Sequence, residues 1–302
     1  MQLFYRLFYS TPINLLVRNL LFPFRKYLPK QLMIPVSGII SIQSEKGEIK
    51  FYANETDSMS KKLFWEDEGC SFEFSLIFKK IIPSCATFFD IGANVGYYSL
   101  LAKKLNSDIK IHSFEPSIGA KYFLKKNCSI NHFDDITRVD KALGNYTGTI
   151  EFYEEKNPKF LYLEHHGGGI GNTANTWEID NSLKYNVDVI RLDDYCKEAH
   201  VTTIDLIKID TEGTEDLVFS GGKESILRSN PIIICEVLSG RIESKIQDII
   251  TKEFGFDIFQ FQTKTNKLKP VSNLSEAVKN GETNYFFIPK AKQHLVAEFI
   301  EK

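Results

Sequence analysis

Apolar and polar positions set distinct rhythms along the chain. From Gly38 to Ala53, GIISIQSEKGEIKFYA alternates apolar and polar residues on either side of Lys46-Gly47, the pattern of a hairpin. Ser58 to Phe64 and Phe72 to Ile82 read as short helices, the second closed by Pro83. From Ala86 the rhythm changes to short apolar runs alternating with helix-period segments. Strands are expected at Thr87–Ile91, Ile109–Phe114 and Ile136–Val139, and helices at Tyr97–Leu105 and Ile118–Asn131. This order predicts a parallel sheet with helices on both faces. Thr149–Tyr153 reads as an extra strand and Val187–Leu192 as its return. Between them lies the polar, glycine-rich stretch EHHGGGIGNTANTWEIDNS, too irregular for an element. The doubly wound pattern resumes with strand Ile204–Ile209, helix Glu215–Leu227, strand Ile232–Cys235 and helix Ile242–Glu253. Phe256–Phe261 and Tyr285–Ile288 are late strands with no helix pattern between them, which favours an antiparallel pair.

Residues 1–83 thus form an accessory region without chemistry of its own, comprising an arm, a hairpin and helices. Residues 84–302 form the main α/β domain, with a loop insertion at about 154–186. Long loops inside compact domains serve as functional lids or are disordered, and this one is poised to be either.

Composition narrows the classes. The 302 residues are 43% hydrophobic with a formal charge of −2, and the cations are scattered, so nothing points to nucleic acid. Five widely spaced cysteines without a C-x-x-C pair argue against a disulfide framework or a zinc site and favour the cytoplasm. The first 44 residues stand apart. They carry Arg6, Arg18, Arg25, Lys26 and Lys30, with no acid before Glu45. Arg18 and Pro23 interrupt the apolar runs before they reach the roughly 18 residues of a spanning helix. Two readings stand: a basic amphipathic segment lying peripherally on an anionic inner membrane face, or an arm packed on its own domain with its cations as a solvated rim.

Candidate chemistry begins at FFDIGANVGYYS, residues 88–99. Asp90, Gly92, Asn94 and Gly96 occupy the first strand-to-helix turn of the repeating unit, beyond a strand's carboxyl end, where open parallel sheets bind ligands. Glycine permits positive φ and removes a side chain that would block a ligand. Glu115 ends the second strand, 23 positions after Gly92, where an acid can accept from a ribose diol. A dinucleotide turn wants G-x-G-x-x-G, but Asn94 stands at the second glycine position and Asp90 precedes the turn. An acid there would repel pyrophosphate and favour a cation such as the sulfonium or ammonium of S-adenosyl-L-methionine.

The chain here resembles the FkbM family of S-adenosylmethionine-dependent methyltransferases. The resemblance rests on DIGANVGYYS (Asp90–Ser99), FEP with Glu115 and Pro116, RLDDY with Leu192 and Asp193, KIDTEGTE (Lys208–Glu215) followed by Gly221-Gly222, and NYFFIPK. It covers about Ala86 to Lys290. It implies a class I methyltransferase fold: a Rossmann-like three-layer sandwich with a seven-stranded, mostly parallel sheet and an antiparallel last strand. It further implies methyl transfer to a hydroxyl of a sugar, polyketide or lipid-linked glycan. By the same resemblance, backbone at Lys141 and Ala142 would meet the adenine.

Transfer to oxygen needs an aligned acceptor and a base within hydrogen-bond reach. Asp210 is the first choice for that role and Glu212 the second, although both would also suit N-capping of the helix that follows. Glu236 with Asp210 and Glu212 would suit a hard cation such as Mg²⁺, which a sugar acceptor does not require. His165, with His166 before three glycines, and Trp177 in the same loop are acceptor-contact candidates; each is equally at home in a solvated loop or a packing role. Competing readings are a cofactor-binding interaction subunit without catalysis, an N-methyltransferase and a nicotinamide dehydrogenase, the last disfavoured by Asn94.

Overall fold

The computed structural model describes residues 6, 10–56, 58–66, 72–156, 163–165, 167–170, 182–240 and 242–301. Helix α1 (Thr11–Leu21) has Pro12 in its first turn, where a missing N–H costs nothing, and continues into a 3-10 segment, Phe22–Tyr27. The expected hairpin is β1 (Gly38–Ser44) and β2 (Gly47–Ala53), paired from Gly38↔Ala53 to Ser44↔Gly47. Helices α2 (Ser58–Trp65) and α3 (Ser75–Ile81) follow.

The winding then proceeds through β3 (Thr87–Ile91), α4 (Tyr97–Leu105), β4 (Lys110–Phe114), α5 (Ile118–Ile130) and β5 (Thr137–Val139). An insertion contains β6 (Ala142–Gly144), β7 (Gly148–Glu155), β8 (Gly168–Ile170) and β9 (Ser182–Arg191), and α6 (Leu192–Glu198) leads out of it. Next come β10 (Leu206–Ile209), α7 (Glu215–Gly221), α8 (Lys223–Ser229), β11 (Ile232–Glu236) and α9 (Glu243–Asp248), which continues as a π turn, Ile249–Glu253. Strands β12 (Asp257–Gln262) and β13 (Lys267–Val271), helix α10 (Leu274–Ala277) and β14 (Asn284–Ile288) complete the series.

The main sheet runs β13-β12-β14-β11-β10-β3-β4-β5. Strands β5, β4, β3, β10 and β11 are mutually parallel, and β14 inserts antiparallel between β11 and β12. Seven of these strands form the mostly parallel sheet with an antiparallel last strand that the resemblance implies. The eighth, β13, lies in a stretch that shows no element in the sequence, because of its five residues only Leu268 is buried. Leu268 also forms a bridge to Ile300.

Central strands are buried on both faces and therefore read as continuous apolar runs. Side chains alternate sides, so Phe88 and Phe89 join different cores. Phe88, Leu206 and Phe286 pack with Phe51 of the hairpin and Phe78 of α3, so the accessory region shares one apolar cluster with the sheet. Phe89, Ile207 and Phe287 face Phe219 and Ile226 on the other side.

Three sequence expectations change in detail. Ser182, not Val187, starts β9, which pairs with β7 from Gly148↔Val189 to Glu155↔Ser182, so residues 154–155, 168–170 and 182–186 of the expected loop belong to a second sheet in the order β6-β9-β7-β8. The helix expected over Glu215–Leu227 breaks between α7 and α8. A Cβ on Gly221 would sit 1.9 Å from the Gly144 carbonyl oxygen, and one on Gly222 2.5 Å from Leu192 Cδ2. Both glycines let the helices lie close to their neighbours. The helix expected over Ile242–Glu253 loosens into the π turn at Ile249.

Candidate active site

Backbone hydrogen bonds align the strand tips. Asp210 N donates to the Ile91 carbonyl, Gly92 N and Ala93 N both donate to that of Phe114, and Glu115 N donates to that of Val139, each at 3.0 Å. Gly92, Glu115 and Asp210 are thereby placed side by side at the carboxyl edge of the sheet. They border an open cleft whose walls include Phe114, Leu143 and Phe152. Ala142, Glu212 and Gly169 also line it.

The candidate residues divide into those that line the cleft and those behind it. Asp90 is 1% exposed. Its Oδ2 accepts from the Ser99 hydroxyl at 2.6 Å; Oδ1 lies 3.9 Å from Lys208 Nζ and has no hydrogen-bond partner. Burial pushes the Asp90 pKa up, and Lys208 and Ser99 oppose that shift. Asn94 adopts φ 50, and its N–H donates to Glu115 Oε2 at 2.8 Å. The other oxygen, Oε1, accepts from Ser117 N at 2.8 Å. Glu115 therefore clamps the glycine turn to the start of α5, and burial raises its pKa to about 7 against those two N–H donors.

The glycines are required by the protein's own chain. A Cβ on Gly92 would fall 1.8 Å from the Asp210 carbonyl oxygen, and one on Gly96 2.5 Å from Leu124 Cδ1.

Lys208, within the KIDTEGTE motif, has no role legible from the motif itself. Its ammonium donates to the Gly92 carbonyl at 2.8 Å and to Asp210 Oδ2 at 3.2 Å. Burial pulls the Lys208 pKa down, but Asp210, Asp90 and Glu73 outweigh that and hold it above the ordinary lysine value. The available signal was a lysine inside LIKI, the apolar strand β10, since a buried cation needs partners. Glu73, from the accessory region, accepts from the Tyr98 hydroxyl at 3.1 Å. A region expected to carry no chemistry thus reaches the charges of the site.

The capping explanation for Asp210 and Glu212 gives way to another residue. Glu215 Oε1 accepts from Thr211 N (3.1 Å), Gly213 N (3.0 Å) and the Thr211 hydroxyl (2.9 Å). It thereby fixes a turn in which Glu212 takes the left-handed φ of 58. Such a conformation in a non-glycine residue costs on the order of 1 kcal/mol and persists only where the surroundings impose it. Asp193 likewise serves structure, accepting from Ser225 N at 2.8 Å and Glu224 N at 3.2 Å at the start of α8.

Carboxylate oxygens of Asp210, Glu212 and Glu236 lie within 4.8 Å of one another, an arrangement also able to hold a cation. Burial, then the charges of Asp210 and Glu212, push the Glu236 pKa up to about 9. Glu236 therefore keeps its proton at neutral pH. An unfolded glutamate titrates near ~4.3, so between that value and about 9 the native state binds more protons and stability falls as pH rises. Glu236→Gln removes this slope. The variant is expected to gain stability relative to the parent chain across that window and to level off above it, as followed by urea unfolding at stepped pH. Parallel pH profiles for the two proteins would contradict the assignment.

His165 is 3% exposed and packs by its backbone against α5, its carbonyl oxygen 1.9 Å from where a Cβ on Gly119 would fall. It is not among the residues lining the cleft. His166 and Trp177 lie outside the described residues.

A doubly wound sheet with its seventh strand inserted antiparallel, and a cleft over a glycine turn and strand-tip acids, defines a class I methyltransferase architecture. A family model described as the methyltransferase FkbM domain matches residues 90–258, more than half of the sequence, and the chain belongs to that family. The 2-O-methyltransferase NoeI of Sinorhizobium fredii is 27% identical over 157 residues, which cover 46% of this chain and 58% of NoeI. Methyltransferase sdnD of Sordaria araneosa is 28% identical over 201 residues, covering 59% of this chain and 76% of sdnD. The chain thus spans little more than half the length of NoeI. A solved FkbM methyltransferase from Methylobacillus flagellatus superposes with a TM-score of 0.43 at 14% identity, covering 76% of this chain and 55% of that one.

Proposed function

We propose that this chain is an S-adenosyl-L-methionine-dependent O-methyltransferase whose acceptor is a hydroxyl of a sugar or glycan. The observation that carries the reading is the juxtaposition at one sheet edge of a mainly apolar cleft beside Glu115 with the acids Asp210, Glu212 and Glu236.

The residues fit the cofactor by their chemistry. Each Glu115 oxygen accepts one backbone N–H and retains capacity for a further donor such as a ribose hydroxyl. Phe114, Leu143 and Phe152 offer apolar surface for a base, and Ala142 lies in the same wall. When bound, the cofactor supplies an electrophilic methyl group.

The chain's own residues then act on the acceptor. Asp210, one oxygen held by Lys208, orients the acceptor hydroxyl and takes its proton as the oxygen becomes nucleophilic. Lys208 balances the negative charge behind the site without facing away from its carboxylate partners. A protonated Glu236 beside Asp210 spares the site a further charge. NoeI is by name a 2-O-methyltransferase, which supports oxygen as the accepting atom.

Asp210→Asn is the direct test. Turnover with a sugar acceptor, read as S-adenosylhomocysteine release, is expected to fall about 10²- to 10⁴-fold, with cofactor binding retained in a thermal-shift titration. Since the acids are assigned to the acceptor, EDTA should leave turnover intact. Full turnover in the variant would remove Asp210 from the reaction.

A further inference from the structure

Helix α1 is docked with its polar side inward. Asn14 is 1% exposed and Arg18 2%, one helical turn apart, whereas Leu16 is 63% and Leu20 65% exposed. The inward contacts are polar and specific. Asn14 Nδ2 donates to the Pro35 carbonyl at 2.7 Å, and its Oδ1 accepts from Ser37 N at 3.0 Å. Arg18 donates to the carbonyls of Ser37 (3.0 Å) and Ile39 (2.8 Å), with its guanidinium 5.1 Å from the Phe64 ring centroid. Docking by Asn14 and Arg18 leaves the apolar stripe on the outside. Ile13, Leu16 and Leu20 follow a three- then four-residue spacing along one face, and Phe24, 61% exposed, extends it into the 3-10 segment beside Tyr27 at 88%.

A surface helix ordinarily turns such a stripe toward its own core, so the inversion asks what covers the stripe. Charge identifies the occupant. Exposed Lys26 and Lys30 flank the aromatic end of the stripe, Arg25 lies 4.2 Å from the Phe22 ring centroid, and no acid occurs before Glu45. Apolar and aromatic side chains bordered by cations match the boundary between acyl chains and anionic headgroups. No described helix is long and apolar enough to cross a membrane, so the contact is peripheral. We propose that α1 and the following 3-10 segment, residues 11–27, seat the protein on an anionic lipid surface. This surface goes beyond the methyl-transfer reading and stands or falls independently of it.

The test is co-sedimentation of the full chain with phosphatidylcholine vesicles, either pure or containing about one third phosphatidylglycerol. The protein is expected to pellet with the anionic vesicles and to remain in solution with the neutral ones. Leu16→Ser/Leu20→Ser/Phe24→Ser should lower the bound fraction at least about tenfold, with an unchanged thermal midpoint because all three side chains face solvent. Lys26→Gln/Lys30→Gln should weaken binding at low salt and flatten its salt dependence. Failure to pellet with anionic vesicles, or pelleting indifferent to the triple substitution, would overturn the proposal. So would a concentration-dependent dimer abolished by the triple substitution without any vesicle binding, which would give the stripe to a second copy of the chain.

Discussion

Gly92→Ala is expected to prevent the chain from reaching its native fold. The added methyl group would lie 1.8 Å from the Asp210 carbonyl oxygen, a backbone atom fixed by its place at the end of β10. No rotamer relieves that overlap. The positive φ of 71 adds a further cost of about 1 kcal/mol for a residue with a Cβ. Separating the two strand tips would break the hydrogen bond from Asp210 N to Ile91, and shifting the glycine turn instead would break those from Gly92 N and Ala93 N to Phe114. A loss above about 4 kcal/mol is expected, comparable with the whole stability of many domains. Soluble yield and urea unfolding report it. Gly96→Ala is the internal comparison: its methyl group meets Leu124 Cδ1, the end of a side chain rather than backbone, and the damage should be smaller. A native-like midpoint for Gly92→Ala would show that the strand tips part easily.

Lys208→Met should be the most damaging change that adds no bulk. It leaves the buried Asp90 carboxyl without its cation and removes the donor to both the Gly92 carbonyl and Asp210. Breaking a buried pair from one side costs about 3–5 kcal/mol, because the remaining charge stays buried. The sign of the pH dependence follows. Lysine is charged well below about 10.4, so the parent chain keeps this contribution through neutral pH. In the variant, Asp90, whose pKa burial already raises, takes up a proton as pH falls. The stability gap should therefore be widest near neutrality and narrow toward acid, and Asp90→Asn added to Lys208→Met should recover part of the loss. A constant gap across pH, with no rescue by Asp90→Asn, would mean that the ammonium serves packing alone.

The parallel strands were readable because burial on both faces leaves long apolar runs. Thr87–Ile91 and Tyr97–Leu105 appear in the structure with the expected boundaries. Strand β6 was missed because it is three residues long, and β13 because an edge strand shows little apolar alternation. The need for glycine at Gly222, where α7 and α8 part, arises from Leu192, a long-range neighbour that no local periodicity reports. The rule that ligands lie beyond strand tips pointed to Gly92, Glu115, Asp210 and Glu212, and the family resemblance to Ala142; all five line one cleft. It did not distinguish lining from support. Asp90 and Gly96 serve the turn from behind, and Glu115 binds backbone amides as well as bordering the cleft. Glu73 was illegible, since only the tertiary fold carries it to Lys208.

The outer side of β13 has a consequence for how this molecule meets others. Pro270 offers that strand no N–H, and Leu268 spends both its backbone groups on the chain itself: its N–H reaches the Phe299 carbonyl at 2.8 Å, and its own carbonyl receives Glu301 N at 2.9 Å. At the opposite margin, β5 is three residues long. Neither margin offers the extended row of free amides and carbonyls on which foreign strands assemble, so fibril-like stacking through the main sheet is closed off at both sides.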